Sequence, residues 1–147
     1  MIAGLGLDLV DVSAFRELVR VPPGRSLSPF AAATFTPAEL RYCTQEALGD
    51  PVLHLAARFA AKEATLKALD SAAAALGLSP PNVPVADVEV VRDARGRPSL
   101  RLVGGAWGLW EALELSRSHI SLTHEGTTAG AIVVVERLAP LGSGWGT

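Results

Sequence analysis

The chain has 147 residues, of which 49% are hydrophobic and 19% are charged, and its net charge is −2. This length fits one domain, and this composition excludes wholesale disorder. The weakly acidic balance gives no support to a nucleic-acid binder, a class that usually shows a strongly basic balance. The single cysteine, Cys43, excludes an internal disulfide framework and a zinc site built from thiolates, and it favours a cytoplasmic location.

Two segments were candidates for membrane targeting, and both argue against it. The apolar N-terminus is interrupted by Asp8 and lacks the basic region of a signal peptide. The Ala-rich stretch from Leu53 to Leu76 is charged at several positions, so it is unsuited to span a membrane. We therefore expect no contact with a membrane.

The N-terminal third predicts a strand followed by short helices. The alternation from Ile2 to Val10 predicts a strand with two distinct faces, one carrying Leu5, Leu7 and Leu9 and the other Gly4, Gly6 and Asp8. A helix is predicted from Val12 to Val19, with Ser13 as its cap. Short helical pieces follow from Pro29 to Cys43, and Thr36-Pro37-Ala38-Glu39 has the composition of a capped helix start.

The rest of the chain predicts a long helix, two strand pairs and a second helix. The long helix runs from Pro51 to Ala75. The later elements, in chain order, are strands over Val85–Val91 and Ser99–Val103, a helix over Gly105–Arg117, and strands over His119–His124 and Ala129–Glu136. Adjacent strands joined by turns favour an α+β fold with an antiparallel sheet. We expect one domain over residues 1–137 and a loose, Gly-rich tail over 138–147.

The long helix carries charge on and beside a narrow apolar stripe. At about 100° per residue, Lys62 falls inside the stripe, Glu63 and Arg58 lie near its borders, and Lys67 is one turn after Glu63. The spacing alone favours an ordinary solvated helix, on which the i,i+4 pair Glu63–Lys67 contributes a few tenths of a kcal/mol. The alternative is a site for a divalent cation and phosphates.

Two polar groups elsewhere in the chain extend that alternative. Asp8 at a strand end is commonly a turn or cap residue, yet with Glu63 it would supply the one or two carboxylates that typically hold Mg²⁺. His124 ends a predicted strand before Gly126, a position suited to ligand contact. The sequence contains no P-loop, dinucleotide fingerprint or GxSxG elbow, and Cys43 has no local activating group.

Several motifs, in order along the chain, resemble holo-acyl-carrier-protein synthase, the small single-domain branch of the 4′-phosphopantetheinyl transferases. They are Gly6-Leu7-Asp8-Leu9-Val10, Phe35-Thr36 followed by Glu39, Leu55-Ala56-Ala57-Arg58-Phe59-Ala60-Ala61-Lys62-Glu63-Ala64 with Lys67-Ala68, Gly96-Arg97-Pro98, and His119-Ile120-Ser121-Leu122-Thr123-His124. The resemblance implies the fold of that family and Mg²⁺-dependent transfer of the phosphopantetheine arm of coenzyme A to a serine of apo acyl carrier protein. The second product would be adenosine 3′,5′-bisphosphate.

The resemblance also assigns catalytic roles by position. Asp8 and Glu63 would bind the cation, Lys67 would offset charge on the phosphates, and His124 would complete the catalytic set. The base that accepts the serine proton stays open between Glu63, a metal-bound water and Glu125.

The same resemblance implies contacts to coenzyme A and a trimer with sites at subunit interfaces. Arg58 and His124 would bind the phosphates, including the 3′-phosphate, and Lys62 is a further candidate contact. The turn Arg95-Gly96-Arg97-Pro98 of a neighbouring subunit would wall the adenine pocket.

One position departs from the family pattern. The family usually places an arginine six residues after the aspartate, where it meets the acidic carrier protein, and this chain has Ala14 there. Arg16, Arg20 and Arg25 keep the segment basic and are the expected contacts to the carrier. Alternatives to the transferase are a non-catalytic relative and an Mg²⁺-dependent hydrolase of the coenzyme A pyrophosphate.

Overall fold

The computed structural model describes residues 1–138. Its elements are β1 (Ile2–Asp11), α1 (Val12–Val19), α2 (Pro29–Thr34), α3 (Pro37–Arg41), a π-helical turn (Tyr42–Glu46), α4 (Pro51–Ala74), a 3₁₀ turn (Val85–Asp87), β2 (Val88–Arg92), β3 (Pro98–Leu102), α5 (Gly104–Ala112), β4 (Leu115–Glu125) and β5 (Thr128–Arg137). The predicted loose tail lies outside the described residues except for Leu138. The domain boundary at residue 137 stays a prediction.

The strands form a three-stranded sheet in the order β1-β5-β4 and a separate β2-β3 hairpin, and every pairing is antiparallel. Helix α4 packs across the larger sheet, so the predicted α+β fold with antiparallel strands is confirmed. Within the described residues, the helices are all too short or too polar to cross a membrane.

Strand β1 lies directly on α4 because glycines face the helix. A Cβ atom at Gly6 would be 1.8 Å from the carbonyl oxygen of Ala64, and one at Gly4 would be 2.2 Å from that of Ala68. Both alanines are fully buried. Glycine on the strand and alanine on the helix therefore allow the two backbones to touch, which brings Asp8, two residues after Gly6, beside the helix.

The opposite face of β1 is apolar and exposed. The predicted alternation is confirmed, and the structure adds that its leucine face is the exposed one. Leu5, Leu7 and Leu9 are 51%, 55% and 66% exposed, and Ile132 on β5, which pairs with Leu7, is 40% exposed. We call the face formed by these four residues the outer sheet face.

The capping box at Thr36 and Glu39 is confirmed, whereas two other local predictions are wrong. The α1 cap is Asp11, whose Oδ1 accepts a hydrogen bond of 2.9 Å from the Ala14 amide, and not Ser13. The last helix ends at Ala112 instead of continuing to residue 117. The helix ends because Glu114 has a positive φ of 52°, which is not a helical conformation. The sequence does not predict this end, because positive φ is usually signalled by glycine and residue 114 is a glutamate.

Candidate active site

Strand β1 and helix α4 bring Asp8, Glu63 and Lys67 together. The Nζ atom of Lys67 donates hydrogen bonds to Asp8 Oδ1 at 2.7 Å and to the carbonyl oxygen of Leu7 at 3.1 Å. Asp8 and Glu63 line one cleft of about 370 Å³, together with Ala14, Phe59 and others. We call this the carboxylate cleft. The charged residues of the long helix are therefore not merely a solvated face, because one group of them meets a carboxylate from a distant strand.

The electrostatics of the carboxylate cleft favour a cation. Burial raises the pKa of Glu63, the negative charge of Asp8 raises it further, and Lys67 partly opposes both effects. A divalent cation between two such carboxylates would relieve their repulsion. Within residues 1–138 no third Asp, Glu, His or Cys joins them in a possible metal cluster. This donor set fits Mg²⁺, which is usually held by one or two carboxylates plus substrate phosphates and water.

A second cavity, of about 220 Å³, collects most of the predicted coenzyme A contacts. Its lining residues are Tyr42, His54, Ala57, Arg58, Val90, Arg92, Gly96, Pro98, Leu122, Thr123 and His124. We call it the guanidinium pocket. None of these residues is an aspartate or glutamate. The pocket therefore has two permanent positive charges and no carboxylate in its lining, which suits an anion.

Arg58 is held at the wall of the guanidinium pocket and is only 6% exposed. Its guanidinium lies 4.4 Å from the centroid of the Tyr42 ring, and its Nη1 atom donates a hydrogen bond of 3.4 Å to the His54 carbonyl. The buried Nε atom of Arg58 has no hydrogen-bond partner among the described residues. The described part of the chain therefore does not satisfy all the donors of this guanidinium.

The predicted Arg95–Pro98 turn is organised by Asp93. Its Oδ1 accepts hydrogen bonds from the Arg95 and Arg97 amides at 2.8 and 2.9 Å, and its Oδ2 accepts one from Arg97 Nε at 2.6 Å. These bonds lower the pKa of Asp93, those from Arg97 most. Gly96 and Pro98 line the guanidinium pocket of their own chain, whereas Arg95 and Arg97 are absent from its lining.

The carboxylate cleft and the guanidinium pocket have no lining residue in common. The structure thus divides the predicted site residues into two groups. Asp8, Glu63 and Lys67 form one group, and Arg58 and His124 belong to the other.

Lys62 lies in neither group, and its position corrects the prediction of a phosphate contact. Its side chain is fully buried, and Nζ lies 2.8 Å from Glu39 Oε2 and donates to the Val88 carbonyl. Burial lowers the pKa of Lys62, and the Glu39 carboxylate opposes that shift. A phosphate on the surface has no route to this ammonium group, because the pair sits in the core between α3, α4 and β2.

The basic segment is less positive than its sequence implies. Arg16 Nη2 lies 2.5 Å from Asp50 Oδ2, and Arg20 Nη2 lies 2.8 Å from Glu17 Oε1. The hydrogen bond from Arg16 lowers the pKa of Asp50. These two predicted carrier contacts are already paired within the chain, whereas Arg25 is exposed and forms no salt bridge among the described residues.

Tyr42 and Arg92 are among the lining residues of the guanidinium pocket that the sequence pattern did not single out. Tyr42 lies in the π-helical turn, and Arg92 ends β2, four residues before Gly96. Neither belongs to a periodic pattern, so only the proximity of Arg92 to the predicted turn could have drawn attention to it. Cys43 is fully buried, and burial raises the pKa of its thiol to about 11, in keeping with its assignment as a poor nucleophile.

Comparison with known proteins identifies the family. The family model of the 4′-phosphopantetheinyl transferase superfamily matches residues 4–130. The holo-[acyl-carrier-protein] synthase of Geobacter sulfurreducens is 44% identical over 93% of this chain and 99% of its own length. That of Syntrophus aciditrophicus is 38% identical over 94% of this chain and 98% of its own length.

Solved structures give the same result. The complex of ACPS with CoA from Chronobacterium ammoniagenes has a TM-score of 0.75 and 32% identity, covering 92% of this chain and 97% of that one. The acyl carrier protein synthase of Mycobacterium tuberculosis has a TM-score of 0.66 and 36% identity, covering 94% of this chain and 100% of that one. The predicted resemblance is confirmed, and this chain belongs to the 4′-phosphopantetheinyl transferase superfamily.

Proposed function

We propose that this chain transfers the 4′-phosphopantetheine arm of coenzyme A to a serine hydroxyl of apo acyl carrier protein. The observation that carries the proposal is the convergence of three charged groups: Asp8 and Glu63 line the carboxylate cleft, and Lys67 Nζ lies 2.7 Å from Asp8 Oδ1. Relatives that cover nearly the whole chain are named holo-[acyl-carrier-protein] synthase. A similar solved structure is a complex with CoA.

The proposed reaction exchanges a phosphoanhydride bond for a phosphoester bond. The serine oxygen forms a bond to the phosphorus that bears the pantetheine arm, and the bond from that phosphorus to the bridging oxygen breaks. Adenosine 3′,5′-bisphosphate leaves with the bridging oxygen and its electron pair. Catalysis of this class depends chiefly on positioning and on neutralising negative charge.

Asp8, Glu63 and Lys67 each have a role in this scheme. Asp8 and Glu63 would hold Mg²⁺, which would supply positive charge to the diphosphate. Lys67 places a second positive charge at the same point. Glu63, a metal-bound water and Glu125 are the candidates for the base that accepts the proton of the serine hydroxyl.

A third cavity, of about 480 Å³, would accept the pantetheine arm. Glu63 and Lys67 line it at one side, and its other walls are Leu66, Leu69, Asp70, Pro80, Pro81, Asn82, Val83 and Leu109. Mostly apolar walls with a few polar groups suit an arm that combines amide and methylene groups. The guanidinium pocket, through Arg58 and His124, would bind the 3′-phosphate at the other end of coenzyme A.

We also propose that the complete site forms between subunits of a homotrimer. Two observations support this. The outer sheet face exposes Leu5, Leu7, Leu9 and Ile132 side by side, a contiguous apolar surface that usually marks a protein contact. The carboxylate cleft and the guanidinium pocket are separate within one chain, so a neighbour could bring its own pocket to the cleft. Light scattering would show trimers for the wild type and for Leu48→Lys, which alters an exposed leucine elsewhere, and monomers for Leu7→Lys. A wild-type monomer would refute the trimer.

The acceptor would be an acidic carrier protein of fatty-acid or polyketide synthesis in the cytoplasm. Arg25 is the arginine of the basic segment that is free for such a contact among the described residues, and Ala14 and Leu18 would meet the carrier at the carboxylate cleft. We therefore expect a contact with more apolar character than the family arginine would give.

One assay tests the function. The protein is incubated with coenzyme A, Mg²⁺ and apo acyl carrier protein, and the carrier is weighed by mass spectrometry. Addition of one phosphopantetheine is expected for the wild type and for Glu111→Gln, an exposed control on α5, but not for Glu63→Gln. No mass gain on any fatty-acid or polyketide carrier would refute the transferase. Release of free 4′-phosphopantetheine without a carrier would identify a hydrolase instead.

A further inference from the structure

The guanidinium pocket contains a second arginine that the family resemblance leaves without a role. The guanidinium of Arg92 lies 4.5 Å from the centroid of the Tyr42 ring, and that of Arg58 lies 4.4 Å from the same centroid. Each cation is attracted by the ring, so the pocket gathers two positive charges around Tyr42. An anion in the pocket would be attracted by both charges.

Neighbouring carboxylates do not supply this anion. Glu89 is paired with Arg101, and Asp93 is paired with Arg97. Two other acidic groups near Tyr42 are also engaged: Glu39 with Lys62, and Glu46 with Arg41 at 3.5 Å. Neither Arg58 nor Arg92 forms a salt bridge within residues 1–138. The pocket is therefore built for a charge that the described part of the chain does not provide.

The geometry of Arg92 leaves part of its hydrogen-bonding fork available. Its Nε atom donates to the Gly96 carbonyl at 3.0 Å, which fixes the plane of the guanidinium beside the turn. A Cβ atom at Gly96 would lie 2.5 Å from Arg92 Nη2, so the side chain packs tightly over this glycine. Its two Nη atoms make no hydrogen bond to the described residues. A positioned fork with free donors matches the oxygens of a phosphate.

We propose that Arg92 is a specificity residue that binds the 3′-phosphate of coenzyme A together with Arg58 and His124, and so separates coenzyme A from dephospho-coenzyme A. This inference rests on the proposed function. A phosphate monoester carries up to two negative charges and three acceptor oxygens, enough to engage more than one arginine. The diphosphate is assigned to the carboxylate cleft, which has no lining residue in common with this pocket.

If Arg92 only supported the turn, its loss would affect the binding of the two ligands differently from the loss of a phosphate contact. The bond from Arg92 to the Gly96 carbonyl could serve only to hold the turn against the pocket. Loss of that support would weaken the binding of coenzyme A and dephospho-coenzyme A by the same factor. The ratio of the two affinities therefore distinguishes phosphate recognition from support of the turn.

The experiment is isothermal titration of the wild type, Arg92→Met and Arg92→Lys with coenzyme A and with dephospho-coenzyme A. Arg92→Met should weaken coenzyme A binding about tenfold, as expected for loss of a charge-assisted hydrogen bond, and should leave dephospho-coenzyme A within about twofold. Arg92→Lys keeps the positive charge but lacks the planar guanidinium, so its affinity for coenzyme A should lie between those of the wild type and Arg92→Met. Arg41→Met is the matched control. It removes one charge next to Tyr42, at a side chain that does not line the pocket, and should bind both ligands as the wild type does.

Two results would overturn the inference: equal weakening of both ligands by Arg92→Met, or no weakening of either. Because Arg92 is exposed, both variants are expected to fold, and a thermal melt checks this. If the wild type binds coenzyme A but modifies no carrier, the proposed function fails while the affinity ratio still decides the role of Arg92. If the wild type binds neither ligand, both proposals fail.

Discussion

Replacing Gly6 with alanine tests the contact that places Asp8 beside α4. The added Cβ would lie 1.8 Å from the Ala64 carbonyl oxygen and 2.7 Å from the Ala68 amide nitrogen. Both neighbours are backbone atoms of a buried helix, so no side-chain rotation relieves the overlap. Since real Cβ atoms essentially never approach another heavy atom within 3.0 Å, β1 has to retreat from α4 by more than about 1 Å.

The cost follows from the kind of atoms involved. Extra methylene groups in packed cores typically cost about 1–3 kcal/mol, and more where the backbone has to move. We expect Gly6→Ala to lower the free energy of unfolding by about 3 kcal/mol or more, which is a large part of the ~5–15 kcal/mol typical of a domain. For a chain of this size the melting temperature should fall by about 10 °C. The Lys67–Asp8 hydrogen bond should be lost as the strand retreats, and transfer activity with it.

Circular dichroism melts of Gly6→Ala and Gly108→Ala provide the assay and its control. Apart from its chain neighbours and the nearby backbone of α5, no heavy atom lies within 4 Å of a Cβ built at Gly108, which has ordinary helical geometry. Alanine there should raise the free energy of unfolding by about 0.5–1 kcal/mol. Replacement of glycine by alanine is therefore expected to lower the free energy of unfolding at Gly6 and to raise it at Gly108. A Gly6→Ala protein with the same melting temperature as the wild type would refute the direct contact between β1 and α4.

Three further predictions concern titratable groups. Because Cys43 is fully buried and the pKa of its thiol is raised to about 11, the native protein should not react with a thiol reagent at pH 8 but should react after unfolding in urea. Lys62→Met should cost about 3–5 kcal/mol in urea unfolding, since it leaves Glu39 charged and buried, and adding Glu39→Gln should recover part of that loss. Folding raises the pKa of Glu63 above its ordinary value of 4.5, so its ionised form destabilises the folded protein at neutral pH, and this effect disappears as the pH falls below 4.5. Without added metal, Glu63→Gln should therefore melt above the wild type at pH 7, and the difference should shrink towards pH 4.5.

Each of these expectations has an outcome that contradicts it. Rapid labelling of native Cys43 would mean that the thiol is accessible. A double variant no more stable than Lys62→Met would mean that the ion pair is not what the single variant breaks. A Glu63→Gln protein that melts below the wild type at pH 7 would show that ionised Glu63 is stabilised by its surroundings and not strained by burial and Asp8.

Local sequence patterns were enough to predict many of the helices and strands of the fold. The 24-residue helix α4, the capping box at Thr36 and the alternation of β1 follow from periodicity and short-range hydrogen bonds, which the sequence encodes directly. The end of α5 does not, because Glu114 adopts a positive φ that no neighbouring glycine signals. Tertiary pairing of β4 with β5 outweighs the helical pattern there.

The candidate site also has features that the sequence predicts and features that only the tertiary structure shows. Residue types and their order along the chain identified the family and selected Asp8, Glu63, Lys67, Arg58 and His124. Periodicity placed Lys62 inside the apolar stripe and Glu63 near its border, but it could not supply the buried partner that removes Lys62 from the site. The structure buries Lys62 on Glu39 and leaves Glu63 in the carboxylate cleft.

The sequence by itself determined which chemical groups are present: two carboxylates, several cations and a histidine in a recognisable order. Only the tertiary structure decided which of them meet. Gly4 and Gly6 let β1 touch α4 and so join Asp8 to Lys67, and Tyr42 collects Arg58 and Arg92 from distant elements. Such meetings depend on which backbones approach closely and which side chains are buried, and both are properties of packing between elements that no single segment carries.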